Sequence, residues 1–153
     1  MADEYIQNYL HAFESVLDSL IKSPIEFEII DTRNISSLNH DMSVIMGFVG
    51  DFRGQVNFIM RKNVAMTLTS ILAGGMEITE INELVKSAMG ELANMIMGNA
   101  CTRFSEQGVF MDITPPSIIT GEDFQISNLS PTVCNDIILE GIGKICFDIA
   151  LEN

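Results

Sequence analysis

Strand-like segments in this chain come as close neighbours, and that spacing narrows the fold before any single residue is considered. Ser43 to Val49 and Gln55 to Arg61 are separated only by Gly50-Asp51-Phe52-Arg53-Gly54. Along the second segment Val56, Phe58 and Met60 point one way and Gln55, Asn57 and Arg61 the other, the period-two pattern of a half-buried strand. A second pair is expected near 132–140 and 143–151, where Ile145, Phe147, Ile149 and Leu151 form a strict alternate row. Links this short join antiparallel neighbours, because parallel strands need a crossover of about a dozen residues or more. Glycines at both edges of the first loop suit the positive φ that such loops use. Ile25–Ile30 alternates as well, with Phe27 and Ile29 on one side and Glu26 and Glu28 on the other. Residues 31–41 are polar and turn-rich, and 111–121, which contain Pro115-Pro116, suit an edge or irregular strand.

Three helices are expected around these strands. Residues 3–22 place Tyr5, Ile6, Tyr9, Leu10, Phe13, Val16, Leu17 and Leu20 near the 3.6 period, and Pro24 marks the end. Asn63 is the expected cap of a short helix running to about Ala73, where Gly74-Gly75 stops it. Thr79 is the expected cap of the longest helix, from about Glu80 to Phe104. Strands grouped in hairpins with helices outside them give an α+β fold, a mostly antiparallel sheet flanked by helices. A length of 153 residues, 47% of them hydrophobic, suits one domain over 1–153.

Charge and cysteine usage remove several functions. Eight Lys plus Arg face 21 Asp plus Glu, a formal charge of −13, which disfavours nucleic acid and anionic lipid as general partners. No apolar run approaches the ~20 residues needed to span a bilayer, and the acidic start Met1-Ala2-Asp3-Glu4-Tyr5 is unlike a secretory signal. Cys101, Cys134 and Cys146 form no CxxC pair and make no zinc spacing with His11 and His40. A reducing, cytoplasmic setting without disulfides is the expectation, with Cys134 and Cys146 as small residues within strands. Glu140-Gly141-Ile142-Gly143-Lys144 lacks the spacing of a phosphate loop and reads as a hairpin turn.

The long helix carries the chemistry. At about 100° per residue, Ile81, Leu84, Val85, Ala88, Leu92, Ile96 and Ala100 gather on one expected core side. Ser87, Glu91, Asn94 and Gly98 fall within about 60° of one another on the opposite side. Gly90, Ala93 and Gly98 are small enough for another protein's loop to approach, and Met95 and Met97 border the stripe with soft apolar side chains. Mid-helix glycines cost up to about 1 kcal/mol each relative to alanine, so the stripe is not arranged for helix stability.

Gly90-Glu91-Leu92-Ala93-Asn94-Met95-Ile96-Met97-Gly98-Asn99-Ala100 closely resembles the signature helix of the CheX branch of the CheC-like (CheC, CheX and FliY-type) chemotaxis phosphatases. The family pattern is Asp or Ser, three residues, Glu, two residues, Asn, then a proline somewhat over twenty residues on. Ser87, Glu91 and Asn94 fit it, and Pro115 and Pro116 fall one or two residues short of the proline. The hairpin around Gly47–Val56 and the segment Asp112–Gly121 look like the corresponding family segments. Relatives of the CheC type carry two such helices; here Glu14 is followed at i+3 by Leu17 rather than Asn, which resembles the one-site arrangement.

The resemblance implies a CheC-like fold, a homodimer, and hydrolysis of the aspartyl phosphate of a CheY-type response regulator. Asn94 matches the residue that positions the attacking water, and Glu91 the acidic partner of the regulator's active-site lysine. Ser87, Gly90, Gly98, Met95 and Met97 are the expected partner-contact residues. No cofactor of the chain's own is implied; Mg²⁺ is expected on the phosphorylated regulator. The alternative is a CheC-like module that binds a regulator or flagellar-switch component without hydrolysis.

Overall fold

The computed structural model describes residues 3–21, 25–30, 39–126 and 132–152, with 3, 4 and 25–30 described by backbone alone. The elements in chain order are α1 (Asp3–Leu20), β1 (Ile25–Ile30), β2 (His40–Gly50), β3 (Gly54–Met60), α2 (Lys62–Leu72), α3 (Glu83–Glu106), β4 (Met111–Ile113), β5 (Ser117–Phe124), β6 (Val133–Leu139) and β7 (Gly143–Leu151). Seven strands form one sheet in the order β1-β6-β7-β3-β2-β4, with β5 also paired to β2. Each of these pairings is antiparallel. The α+β expectation is met. Of the expected polar, turn-rich stretch 31–41, residues 31–38 lie outside the described residues, as do the Pro24 stop and the side-chain alternation of β1; His40 and Asp41 instead open β2 and are buried.

The two hairpins meet in the middle of the sheet, where β3 pairs with β7 and Phe58 lies opposite Phe147. Alternate residues of these strands point into one core. Met42, Val44, Met46 and Phe48 of β2, Val56 and Phe58 of β3, and Ile145, Phe147 and Ile149 of β7 are all buried there. Tyr9 and Phe13 of α1 pack against Phe147, tilted and edge-on respectively, with ring centroids 5.3 and 5.0 Å apart, and Tyr9 also meets Phe104 of α3 at 5.3 Å. Burial holds the Tyr9 phenol in its neutral form well above its ordinary range. Leu17, where a second Asn would stand, is buried in this core, while Glu14 is exposed.

Three sequence expectations need correction. The cap of α3 is Asn82, whose side chain accepts from the Val85 N–H at 3.0 Å; Thr79 lies outside the helix. The cap position of α2 is Arg61, which makes no side-chain cap bond. The Lys62 N–H is satisfied instead by Asp41 Oδ2 of β2 at 2.8 Å. Finally, Cys134 and Cys146 do lie in paired strands, but their sulfurs are joined in a disulfide. They are buried with Ile59 in a small cluster separate from the main core. The register explains the meeting: Cys134 lies opposite Asp148 and Cys146 opposite Asp136, so the two cysteines share a sheet face as diagonal neighbours.

Candidate functional site

Helix α3 is gripped from several sides, by α1, α2 and β4, with further contacts to β2 and β5. Its buried residues are therefore spread widely: Val85, Met89, Gly90, Leu92, Ala93, Ile96, Met97, Ala100 and Phe104. One strip stays open, and it carries Ser87, Glu91 and Asn94, all exposed. Glu91 and Asn94 are three apart and so neighbours on the helix surface.

The open strip forms one wall of a groove of about 500 Å³. The α3 side contributes Lys86, Ser87, Gly90, Glu91 and Asn94. The facing wall is Ile113, Thr114, Pro115, Pro116 and Ile118, the end of β4, its short link and the start of β5. Two proline rings and two isoleucines make that wall stiff and apolar. Sequence reasoning missed it as a set; the proline that the family pattern places downstream of the Asn was the available signal.

Backbone contacts hold the second wall at its distance from the helix. Thr114 Oγ1 accepts from the Gly47 N–H at 2.8 Å, and the Thr114 N–H donates to the Gly47 carbonyl at 3.0 Å. One turn of chain earlier, Asp51 Oδ2 accepts from the Phe110 N–H at 2.8 Å, and the Asp51 N–H donates to the Phe110 carbonyl at 2.9 Å. Gly50 is required at this crossing: its φ is +146°, and a Cβ would stand 2.3 Å from the Phe110 carbonyl oxygen.

The structure separates the expected partner-contact residues. Ser87, Gly90, Glu91 and Asn94 line the groove together. Met95 is 39% exposed beside it. Met97, expected at the border of the stripe, is instead 0% exposed and packed in the core, because α3 is covered on more than one side. Leu84, expected in the core, is 42% exposed. Gly90 is a packing glycine: a Cβ there would meet Ile118 Cδ1 at 3.2 Å and Pro116 Cγ at 3.6 Å, so its missing side chain lets the second wall close on the helix. Gly98 has nothing within 4 Å of a built Cβ and does not line the groove.

Metal chemistry has little to work with in the groove, where Glu91 is the one carboxylate among the lining residues; hard cations want several oxygen ligands. Elsewhere, among the described residues, Cys134, Asp136 and Cys146 bring their potential ligand atoms within 4.8 Å. The two sulfurs there are bonded to each other, and Asp136 Oδ2 pairs with Lys144 Nζ at 3.3 Å.

Residues 42–137 match the family model described as chemotaxis phosphatase CheX. A curated relative, the CheY-P phosphatase CheX of Thermotoga maritima, is 33% identical over 89 residues, 58% of this chain. That match spans 57% of the relative's length. Among solved structures, a CheX–CheY–BeF₃–Mg²⁺ complex from Borrelia burgdorferi is similar at 29% identity and TM-score 0.81, covering 97% of this chain and 98% of that one. A CheC-like protein from a Shewanella species superposes at TM-score 0.88 and 21% identity over 100% of both chains, a likeness of fold. The span that the family model matches, 42–137, contains β2 from Met42 onward, the whole of α3 and both groove walls.

Proposed function

The chain belongs to the chemotaxis phosphatase CheX family, and on that premise we propose that it hydrolyses the aspartyl phosphate of a CheY-type response regulator. The observation that carries this reading is the pairing of Glu91 and Asn94 on the one open strip of α3, facing a preformed groove.

Aspartyl phosphate is an acyl phosphate, so its hydrolysis needs little covalent assistance. Positioning and electrostatics dominate phosphoryl transfer. The Asn94 carboxamide oxygen accepts a hydrogen bond from a water and aims the water's lone pair at phosphorus, opposite the carboxyl oxygen that leaves. The new P–O bond forms as the bond to the aspartate breaks, giving inorganic phosphate and a free carboxylate. A neutral amide suits this task because it orients the water without having to ionise. Glu91 pairs with the regulator's lysine and fixes the helix in register over the phosphoryl group; such pairs act mainly on docking and release. Mg²⁺ belongs to the phosphorylated regulator in this scheme, as part of the substrate. The relative from Borrelia burgdorferi, in complex with CheY, BeF₃ and Mg²⁺, supports this division of labour. Assembly as a homodimer is part of the same proposal.

The test is decay of a phosphorylated CheY-type regulator with a sub-stoichiometric amount of this protein. The expected result is multiple turnover and decay at least about tenfold faster, lost in Asn94→Ala while binding persists. Equal rates for wild type and Asn94→Ala, both above background, would remove Asn94 from the site. An effect that needs stoichiometric protein would favour the non-catalytic binding module.

A further inference from the structure

The groove holds a cation that the Glu-x-x-Asn pair does not use. Lys86 is the one cation among the groove-lining residues of a chain whose formal charge is −13. It also borders a neighbouring cavity lined by Thr120, Gly121 and Glu122 of β5. Its side chain is 38% exposed. In the free protein Nζ pairs with Glu83 Oε1 at 3.2 Å, and that carboxylate is 92% exposed. An exposed pair within one helix turn contributes little and is readily exchanged.

We propose that Lys86 is a docking and specificity residue that pairs with an acidic side chain on the phosphorylated partner, at a point distinct from the reacting phosphoryl group. This rests on the phosphatase reading of the same groove. Lys86 and Asn94 are eight residues apart on one helix, about 12 Å along its axis. A partner whose phosphoryl group sits at Asn94 therefore meets Lys86 elsewhere on its surface. The facing wall of Ile113, Pro115, Pro116 and Ile118 supplies no charged side chain there; Glu80 and Glu122 line the neighbouring cavity, and Glu83 is the carboxylate that pairs with the ammonium and that an incoming one must displace. An anionic partner approaching a strongly acidic chain needs such a local attraction, because the overall field repels it. Glu83 sets how strong that attraction is: it occupies the lysine when no partner is bound.

The two residues thus make opposite predictions. Lys86→Glu raises the KM for phosphorylated regulator at least about tenfold while kcat at saturation stays within about twofold, the pattern of lost binding without lost chemistry. Glu83→Gln lowers KM about two- to threefold by releasing the ammonium. Arg53→Glu, the same change of net charge at an exposed residue paired with Glu152, leaves KM within about twofold and separates a local contact from the global field. Titration of each variant with BeF₃-loaded regulator repeats the comparison as binding alone. If wild type binds but does not hydrolyse, the phosphatase reading fails and the Lys86 contact is still decided by the titration. Wild-type affinity in Lys86→Glu, or an equal loss in Arg53→Glu, overturns the proposal.

Discussion

Thr114 and Gly47 hold each other by two hydrogen bonds, one from each backbone N–H, and this double contact fixes the second groove wall to the edge of β2. Gly47 has no side chain to interfere; a Cβ there would stand 3.3 Å from Thr114 Cγ2 and Oγ1. The wall that faces Asn94 is therefore positioned by the sheet, not by the helix it faces. Thr114→Val keeps the shape and removes the hydroxyl acceptor. The expected cost is about 0.5–1 kcal/mol of stability in a urea titration, the low end for an exposed hydrogen bond, with a several-fold fall in kcat/KM for the phosphorylated regulator. Unchanged kcat/KM would mean that the wall does not need this bond.

The two glycines of α3 should answer differently to alanine. Gly98 has open space where a Cβ would go, so Gly98→Ala is expected to stabilise the protein by about 0.5–1 kcal/mol through helix propensity. If a partner's loop closes over this turn, the same change weakens binding several-fold, and titration with the regulator reads it. Gly90→Ala gains the same propensity but pushes on the tip of Ile118 at 3.2 Å, so its net stability change is smaller. A melting comparison of the two variants checks the order.

Met95 and Met97 are two residues apart and have opposite surroundings. Met97→Ala opens a void in the core and should cost about 2–5 kcal/mol, with kcat unchanged in whatever fraction stays folded. Met95→Ala, at a 39% exposed position, should cost less than about 1 kcal/mol and show its effect on regulator affinity. The reverse pattern would contradict the packing of α3.

Asp41 gives the fold an acid limb. Burial pulls its carboxyl upward, but the backbone N–H groups of Asp123 and Lys62 and the charges of Arg61 and Lys62 outweigh this and hold it below its ordinary value. A carboxyl lowered in the folded state contributes stability above its unfolded value. That contribution is lost as pH falls through the ordinary value near 3.8 and on through the lower folded one. Asp41→Asn should therefore lower the urea midpoint at about pH 7 and lose less on going to about pH 3 than wild type does. Parallel pH profiles for the two proteins would show that Asp41 contributes nothing by ionisation.

Much of this architecture was legible because alternation is a local signal. Ile145, Phe147, Ile149 and Leu151 identify a strand whatever lies beside it, and the short link at 140–142 then fixes its antiparallel neighbour. The α3 cap is a local miss, with Asn82 in place of Thr79 three residues earlier; the other misses depend on residues distant in sequence. The α2 N-terminus is satisfied by Asp41 of a preceding strand, so a search for a local cap found Asn63 instead. The helical wheel of α3 assumed one buried face and misplaced Met97 and Leu84, because the helix is covered by several elements at once. The Cys134–Cys146 bond depends on strand register, which spacing along the chain does not disclose. In the site, the stripe of Ser87, Glu91 and Asn94 was legible from periodicity. The facing wall was not, since its placement is set by Gly47 and Asp51.

Every residue lining the groove falls between Lys86 and Ile118. Both walls thus belong to one uninterrupted stretch of chain that runs out along α3 and doubles back on it, while the rest of the sheet serves as a frame. Such a stretch is a heritable unit. Its residues can change together while the frame around them keeps its own reasons to fold.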